Sequence, residues 1–352
     1  MSTQTAENNN RKLAESMDDS AESQHSTYAS LDADIAALNI AVIIPCYNEA
    51  IAIATVVADF KKSLPTATIY VYDNNSQDDT ASRALAAGAI VRREPRQGKG
   101  YVVRRMFADI EADLYVMVDG DDTYDASVVH QLVDKLVREN LDMVNGARVE
   151  QEASAYRPGH KFGNRLLTGL VQVIFNNEFN DMLSGYRIFS RRFVKSFPQS
   201  SGGFEIETEL TIHALELQMP TAEVGAAFKD RGEGSESKLN TFSDGTRILW
   251  TIANLLKQER PMSTFAVICA LLLILAGVLI YPIFVTFFET GLVPRFPTAI
   301  LATGISLLAF LSFTAGLILD TVTRGRKEAK RMRYLEIPSM LSILARRNDG
   351  NA

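Results

Sequence analysis

The sequence predicts an α/β protein, in which a mostly parallel, doubly wound sheet with helices on both faces is followed by an interfacial helix and a two-helix transmembrane hairpin. Two observations predict this class. Short apolar runs alternate with segments of helical periodicity between residues 39 and 239, which is typical of such a sheet. Residues 263–288 and 296–319 contain no Asp, Glu, Lys or Arg, and each exceeds the roughly 20 apolar residues that cross a bilayer.

Strands and helices alternate along the globular part. Buried strands are predicted where β-branched and apolar residues run together, and helices where apolar residues share one face, as Ile53, Val56 and Phe60 do. The predicted strands are residues 40–45, 68–72, 89–92, 114–118 and 143–145, and the predicted helices begin near residues 53, 79, 99 and 126.

Composition divides the chain into five predicted regions. The opening stretch is polar and lacks the apolar core of a signal peptide, so we expect it to be disordered. Before the first apolar run, Phe242, Trp250 and Leu255 indicate an amphipathic helix in the membrane interface. The regions are residues 1–38 (polar tail), 39–239 (globular domain), 240–261 (interfacial helix), 262–320 (two transmembrane helices) and 321–352 (basic cytoplasmic tail).

Charge and cysteine content exclude several classes of protein. The 352 residues carry a formal net charge of −6, and no basic stripe with interleaved aromatic residues precedes Pro261, so nucleic acid is not an expected partner. Cys46 and Cys269 lie far apart and predict two separate buried thiols rather than a disulfide. The four histidines are scattered and give no zinc-binding pattern.

An acidic turn follows the apolar run at residues 114–118. Asp119, Asp121 and Asp122 stand where a buried parallel strand would present its carboxyl end to a ligand crevice. Mg²⁺ or Mn²⁺ takes one or two such carboxylates and shares its other positions with water and phosphate oxygens. The alternative is an ordinary acidic turn, with Asp122 or Asp125 capping the next helix.

Two further strand ends carry polar residues. Tyr47 and Glu49 follow the first predicted strand, and Asp73 and Asn74 follow the second. Because the carboxyl ends of parallel strands meet at one edge, we expect these loops and the acidic turn to converge on a nucleotide-binding crevice. For Asp73 the alternative is a purely local Asx-turn.

Five motifs together resemble the family-two glycosyltransferases of the GT-A (Rossmann-like) fold, and among them the polyprenyl-phosphate glycosyltransferases. That group includes dolichyl-phosphate mannose synthases and bacterial undecaprenyl-phosphate glucosyltransferases. The resemblance covers residues 40–319, and the order of the motifs makes it specific. The motifs are Ile-Ile-Pro-Cys-Tyr-Asn-Glu (43–49), Tyr-Asp-Asn-Asn-Ser-Gln-Asp-Asp-Thr (72–80), Asp-Gly-Asp (119–121), Asp-Met-Leu-Ser-Gly-Tyr-Arg-Ile-Phe (181–189) and Arg-Gly-Glu-Gly-Ser-Glu-Ser-Lys-Leu (231–239).

The resemblance implies a membrane-anchored, inverting transferase that moves a hexose from a nucleotide-sugar of the UDP-glucose or GDP-mannose class to a polyprenyl phosphate. The product would be a lipid-linked sugar for envelope glycan or glycoprotein assembly. It implies Mg²⁺ or Mn²⁺ on Asp119 and Asp121, and the third ligand is either Asp122 or Thr123. The residues expected to hold the donor are Pro45, Tyr47, Glu49, Asp73, Lys99, Asp119, Arg231 and Lys238.

The acceptor phosphate needs cations rather than a base, since a phosphate monoester with a second pKa of about 6 is already anionic near neutral pH. Arg148 and Arg187, with the metal ligands Asp119 and Asp121, are the expected catalytic residues. The expected acceptor-phosphate ligands are Arg148, Lys161, Arg165 and Arg187. For these cations, and for Lys99, the alternative is a solvated surface side chain. The role of Glu205, Glu207 and Glu209 stays open.

Basic residues flank both apolar runs, whereas the short loop at residues 289–295 has one charge of each sign. The positive-inside rule therefore places the globular domain at the cytoplasmic face of an inner membrane that the chain crosses twice. A homo-oligomer is compatible with this arrangement. The competing functions are a processive polysaccharide synthase, although its Gln-x-x-Arg-Trp motif is missing from the sequence, and an inactive nucleotide-sugar-binding scaffold.

Overall fold

The computed structural model describes residues 35, 37–150, 169, 181–198, 206–229, 257 and 259–350. They fall into two compact units: one holds the sheet together with the chain from Tyr334 onward, and the other holds the long apolar helices up to Arg333. Most of the predicted polar tail (1–38) and of the predicted interfacial helix (240–261) lies outside the described residues. So do five predicted site residues, namely Lys161, Arg165, Glu205, Arg231 and Lys238.

A seven-stranded sheet forms the first unit, in the order β3-β2-β1-β4-β6-β5-β7. β6 runs antiparallel to both of its neighbours, and the other paired strands are parallel. The predicted mostly parallel GT-A-like sheet is thus confirmed. The strands are β1 (Ile40–Cys46), β2 (Thr68–Asp73), β3 (Ile90–Arg93), β4 (Leu114–Met117), β5 (Met143–Glu150), β6 (Arg187–Ser190) and β7 (Thr221–Phe228).

The helices of this unit pack their apolar faces on the sheet. Ile53, Val57 and Phe60 of the first helix are each at most 1% exposed, as their spacing predicts. Burying each such side chain contributes about 1.5–3 kcal/mol. The helices are α1 (Ile53–Ser63), α2 (Thr80–Ala86), α3 (Lys99–Asp109), α4 (Val129–Arg138, after a 3₁₀ turn at Ala126–Val128), α5 (Arg191–Ser196), α6 (Ile206–Glu216) and, after the apolar helices, α9 (Met340–Gly350).

The second unit contains α7 (Pro261–Thr290) and α8 (Phe296–Glu336). Both are long and apolar enough to cross a membrane, and only 11% and 17% of their most apolar windows are buried, unlike the core helix of a soluble protein. The helices approach closely at Gly316, where a Cβ atom would lie 2.7 Å from the Cβ of Phe265. The predicted spans, 263–288 and 296–319, lie inside these helices.

The predicted basic tail (321–352) is wrong as a separate region. α8 continues to Glu336, and after a break at residues 337–339 the chain folds onto the sheet unit as α9. Met340 and Leu344 are buried in its core, because apolar residues four apart share one helix face. At the other end of the chain Leu38 is also buried, so the globular unit begins before the predicted residue 39.

Candidate functional site

Three strand ends converge beside the thiol of Cys46. β1 lies between β2 and β4 and is parallel to both, so the loops after these strands leave the sheet at one edge. Burial raises the pKa of the Cys46 thiol well above its ordinary value, and the nearby carboxylates of Glu49, Asp119, Asp73 and Asp121 raise it further. Carboxylates from all three loops therefore lie in one neighbourhood, as the sequence predicts.

The loop after β1 is bound to the loop after β2 by several hydrogen bonds. The backbone N–H of Asn48 donates to Ser76 Oγ (2.9 Å), and its side-chain oxygen accepts from the N–H of Gln77 (2.8 Å). The N–H of Glu49 donates to Thr80 Oγ1 (2.8 Å). These bonds fix the backbone on which the predicted nucleoside-binding residues stand.

Asp73 ends β2 and is 6% exposed. Its Oδ1 accepts from the backbone N–H of Ser76, three residues on, at 3.2 Å, so this carboxylate orders the loop that follows β2. Pro45 lies buried opposite Tyr72 in the parallel register of β1 and β2, whereas Tyr47 is half-buried.

Asn74 anchors the segment that leads into α3. Its amide nitrogen donates to the carbonyl oxygens of Glu94 (3.0 Å) and Arg96 (2.7 Å), and its oxygen accepts from the N–H of Gly98 (2.7 Å). A carboxylate cannot donate to carbonyl groups, so this chain needs an amide at the position. Gly98 has φ 137°, a backbone conformation that favours glycine.

The acidic turn after β4 is held by its neighbours. Asp121 is 5% exposed, and its Oδ1 accepts from Thr123 Oγ1 at 2.7 Å. A Cβ atom at Gly120 would lie 2.6 Å from Cys46 Sγ, so only glycine fits between the two aspartates. Thr123 and Asp122 were the two candidates for a third metal ligand. The hydroxyl of Thr123 is used to orient Asp121, and Asp122 contacts Lys229 at 3.2 Å.

Lys99, at the start of α3, lies between two carboxylates. Its Nζ is 2.5 Å from Asp119 Oδ1 and 2.5 Å from Glu207 Oε1, and its side chain is 11% exposed. Burial alone would lower the pKa of Lys99, but the two carboxylates outweigh it and the pKa lies above its ordinary value. The alternative of a solvated surface lysine is therefore wrong.

The loop before β6 returns to the same edge because β6 is antiparallel to β4. A Cβ atom at Gly185 would lie 2.2 Å from Asp119 Oδ2, so the absence of a side chain makes room for that carboxylate. The N–H of Gly185 donates to the hydroxyl of Tyr124 at 2.9 Å. Sequence reasoning missed both residues, although the Ser-Gly-Tyr-Arg segment of the fourth motif was a signal for Gly185.

Arg148, in β5, forms a bidentate ion pair with Asp181. Nε lies 2.7 Å from Oδ2 and Nη2 lies 2.7 Å from Oδ1. Burial would raise the pKa of Asp181, but the bonds from Arg148 hold it below its ordinary value. The sequence did not predict this partner for the expected acceptor-binding arginine.

Arg187 is a correction to the predicted site. Its side chain is fully buried and donates to the carbonyl oxygens of Ser184 (3.0 Å) and Met182 (2.5 Å) and to Thr211 Oγ1 (2.8 Å). A guanidinium enclosed in this way presents no surface to a phosphate. Arg187 therefore joins the loop before β6 to α6 and is not an acceptor ligand or a catalytic residue.

The donor set fits a divalent cation. Asp119 and Asp121 provide two oxygen ligands, which suffice for Mg²⁺ or Mn²⁺ when phosphate and water complete the shell. The ammonium group of Lys99 already lies against one oxygen of Asp119, so this position attracts a cation. Within the described ranges, no group of three or more His, Cys, Asp or Glu residues is gathered into a ready-made metal cluster.

Comparison with known proteins assigns the family. Residues 41–197 match the model of glycosyl transferase family 2. The glycosyltransferase AglJ of Haloferax volcanii is 33% identical over 228 residues, covering 64% of this chain and 75% of AglJ. The dolichyl-phosphate hexose transferase of the same organism is 26% identical over 224 residues, covering 63% of this chain and 96% of the relative.

A solved structure shares the fold. Glucosyl-3-phosphoglycerate synthase from Mycobacterium tuberculosis, crystallised with Mn²⁺ and UDP-glucose, superimposes with a TM-score of 0.52 at 24% identity, covering 65% of this chain and 82% of that one. At this identity the likeness concerns the fold alone. The family model, the identity with AglJ and the convergent acidic strand ends agree, and the chain belongs to glycosyl transferase family 2.

Proposed function

We propose that the protein is a membrane-anchored, inverting hexosyltransferase that takes a sugar from a nucleotide-sugar and gives it to a polyprenyl phosphate. The observation that carries the proposal is that the parallel strands β1, β2 and β4 lie side by side, so that the loops bearing Glu49, Asp73, Asp119 and Asp121 leave the sheet at one edge. The similarity to a dolichyl-phosphate hexose transferase supports a lipid phosphate as the acceptor.

On the donor side, Pro45, Tyr47, Glu49 and Asp73 are proposed to hold the nucleoside, because carboxylates accept hydrogen bonds from base N–H groups and ribose hydroxyls. Asp119 and Asp121 would hold Mg²⁺ or Mn²⁺. When bound, the metal supplies electrostatic stabilisation of the leaving nucleoside diphosphate. Lys99, Arg231 and Lys238 are the proposed further ligands of the donor phosphates.

On the acceptor side, a phosphate oxygen attacks the anomeric carbon. The new carbon–oxygen bond forms as the bond to the nucleoside diphosphate breaks, and the diphosphate leaves with that electron pair. Arg148, Lys161 and Arg165 are the proposed cations that hold the acceptor against the repulsion between the two anions.

No general base is needed for this reaction, because the nucleophile is already ionised near neutral pH. The position of Glu207 supports that view. It is 5% exposed and bound to Lys99, which suits a positioning residue rather than a proton acceptor.

Membrane association is proposed to occur through α7 and α8, with the globular unit at the cytoplasmic face of an inner membrane. Basic residues flank the apolar spans, and the loop between them is short, which the positive-inside rule associates with cytoplasmic flanks. The flanking basic residues are Lys257, Arg260, Arg324, Arg326, Lys327, Lys330, Arg331 and Arg333. A homo-oligomer remains a prediction.

The test uses membranes containing the full chain, undecaprenyl phosphate and a panel of radiolabelled UDP- and GDP-sugars, with label counted in the lipid extract. We expect one donor to label the lipid. Asp121→Ala should reduce the label by about 10³-fold, as expected when transition-state charge stabilisation is lost. Asp134→Ala, in a half-buried pair with Arg138 on α4, is the matched control and should keep full activity.

Two results would contradict the proposal. Label in a long polymer instead of the lipid extract would indicate a processive synthase. Full activity of Asp121→Ala would disprove the assignment of Asp121 as a metal ligand.

A further inference from the structure

One buried cation is shared by two carboxylates at the carboxyl edge of the sheet. Lys99 Nζ lies 2.5 Å from an oxygen of Asp119 and 2.5 Å from one of Glu207. The three side chains are 11%, 28% and 7% exposed, in the order Lys99, Asp119, Glu207. Formal charges leave this triad with one negative charge, so it is electrostatically suited to accept another cation.

The three residues come from separate elements. Lys99 opens α3, Asp119 follows β4, and Glu207 lies in the first turn of α6. The backbone that carries Lys99 is fixed by Asn74, which binds the N–H of Gly98. The contacts of Lys99 therefore depend on its side-chain torsions, and its ammonium group can change partners while α3 stays in place.

A divalent cation at Asp119 would have to compete with this ammonium group. Lys99 lies against Oδ1, and Gly185 packs closely against the Oδ2 side. A metal ion on Asp119 and an ammonium group 2.5 Å from the same carboxylate repel each other. The two cations cannot both be held tightly unless an additional anion arrives between them.

We propose that Lys99 is an internal counter-ion that the metal displaces from Asp119, and that Glu207 retains the displaced ammonium group and directs it to the donor diphosphate. Glu207 is then a positioning residue acting through Lys99. This inference rests on the proposed function, since it requires a metal ion and a nucleoside diphosphate at the site.

The consequence is a coupling between metal and nucleotide. The diphosphate supplies the anion that Lys99 loses when it leaves Asp119, so each ligand should increase the affinity for the other by the same factor. A site with this property binds metal weakly alone and tightly with donor.

The test measures Mn²⁺ binding to the purified full chain in detergent by electron paramagnetic resonance, alone and with UDP or GDP. For Lys99→Met we expect Mn²⁺ alone to bind more tightly, by roughly 5- to 150-fold, the usual range of coupling between sites. The added nucleotide should then increase the Mn²⁺ affinity of the variant less than that of the wild-type protein. Lys99→Gln keeps a hydrogen-bond donor without the charge and should also bind Mn²⁺ more tightly than the wild-type protein. It replaces Lys99→Met if Lys99→Met fails to fold.

Glu207→Gln should change the affinity in the opposite direction. This variant removes the negative charge of Glu207, so Lys99 pairs with Asp119 alone. Mn²⁺ should then bind more weakly in the absence of nucleotide. A merely structural role would weaken Mn²⁺ binding in both variants. The matched control is Lys62→Met, which makes the same change at an exposed position on α1 and should leave the affinity unchanged.

The outcomes separate this inference from the proposed function. If Mn²⁺ binds the wild-type protein but Lys99→Met and Lys99→Gln bind it no more tightly, the exchange is overturned and the proposed function stands. If Mn²⁺ does not bind the wild-type protein with or without nucleotide, the metal assignment itself is lost. Asp121→Asn, which should abolish Mn²⁺ binding, verifies that the signal comes from this site.

Discussion

Strand β4 has an aspartate at each end, and the two aspartates have different surroundings. Asp113, just before the strand, accepts from the N–H of Asn39 (2.8 Å) and from Arg347 Nη2 (2.7 Å). Asp119, just after it, shares the ammonium group of Lys99 with Glu207. The side chain of Asp113 is 12% exposed and that of Asp119 is 28% exposed.

The amino edge of the sheet repeats the first pattern at β5. Asp142 precedes this strand and accepts from Ser190 Oγ (2.6 Å), Arg192 Nη2 (2.8 Å) and the hydroxyl of Tyr334 (2.7 Å). Buried carboxylates at this edge have resident partners and fix the fold. At the carboxyl edge, Asp119 and Glu207 share the single ammonium group of Lys99. The comparison teaches that acidity alone does not mark a site; the distribution of counter-ions does.

The largest effect should come from breaking the amino edge. Asp142→Ala would leave Arg192 and Tyr334 without their carboxylate, and removing one partner of a buried ion pair costs about 3–5 kcal/mol. This loss of stability is measured as the decrease in the free energy of unfolding of the full chain in detergent. The remaining folded protein should keep its activity; a loss of activity without a loss of stability would break the comparison.

The next effect concerns the carboxyl edge. Gly185→Ala would place a Cβ atom 2.2 Å from Asp119 Oδ2, so the carboxylate must move. Misplacement by about 1 Å can reduce a rate about 10²-fold, and label transfer to lipid measures it. Gly304→Ala, where no atom lies within 4 Å of the new Cβ, is the matched control; equal activity of the two variants would disprove the close-packing argument.

A smaller effect should appear in acid. The pKa of Asp181 is lower in the folded protein than in the unfolded chain, so the unfolded chain takes up the proton first as the pH falls. The stabilisation from the Arg148–Asp181 pair is therefore complete above the ordinary pKa near 4 and is lost as pH falls through the lowered one. The stability difference between wild-type protein and Asp181→Asn should be constant above about pH 5 and shrink below it; a constant difference down to pH 3 would contradict this assignment.

The smallest effect should follow from Arg347→Ala. This arginine is 38% exposed and contacts Asp113, and such pairs contribute about 0.2–1 kcal/mol. The denaturation midpoint should fall slightly at low salt and less at high salt, because salt screens exposed charges. A loss as large as that of Asp142→Ala would mean that α9 holds the fold mainly through Arg347, which also donates to the carbonyl oxygen of Ala37.

The local sequence pattern was sufficient to predict the strands in the first half of the sheet. β1 and β4 are runs of seven and four residues that are buried throughout, and burial on both faces leaves little ambiguity in such runs. β6 and β7 were missed. β6 has only four residues and begins at a charged side chain, and β7 contains Glu223 and Gly225, so neither resembles a strand without its neighbours.

The same limit explains the errors in the site. The sequence indicated a phosphate-binding role for Arg187 because the acceptor phosphate needs cations, yet its guanidinium group is enclosed by Met182, Ser184 and Thr211. It indicated a surface position for Lys99 with equal weight. In both cases the partners of the cation decide its role.

The sequence alone determined that acidic residues follow neighbouring parallel strands and that two apolar helices come after them, because both features depend on the order of residues along a short stretch. Only the tertiary structure decided which carboxylates have an ion-pair partner within the protein. The deciding partners lie far away in the chain: Glu207 is 108 residues from Lys99, and Arg347 is 234 residues from Asp113. Ion pairs depend on separations of a few ångströms, which folding sets and residue order does not.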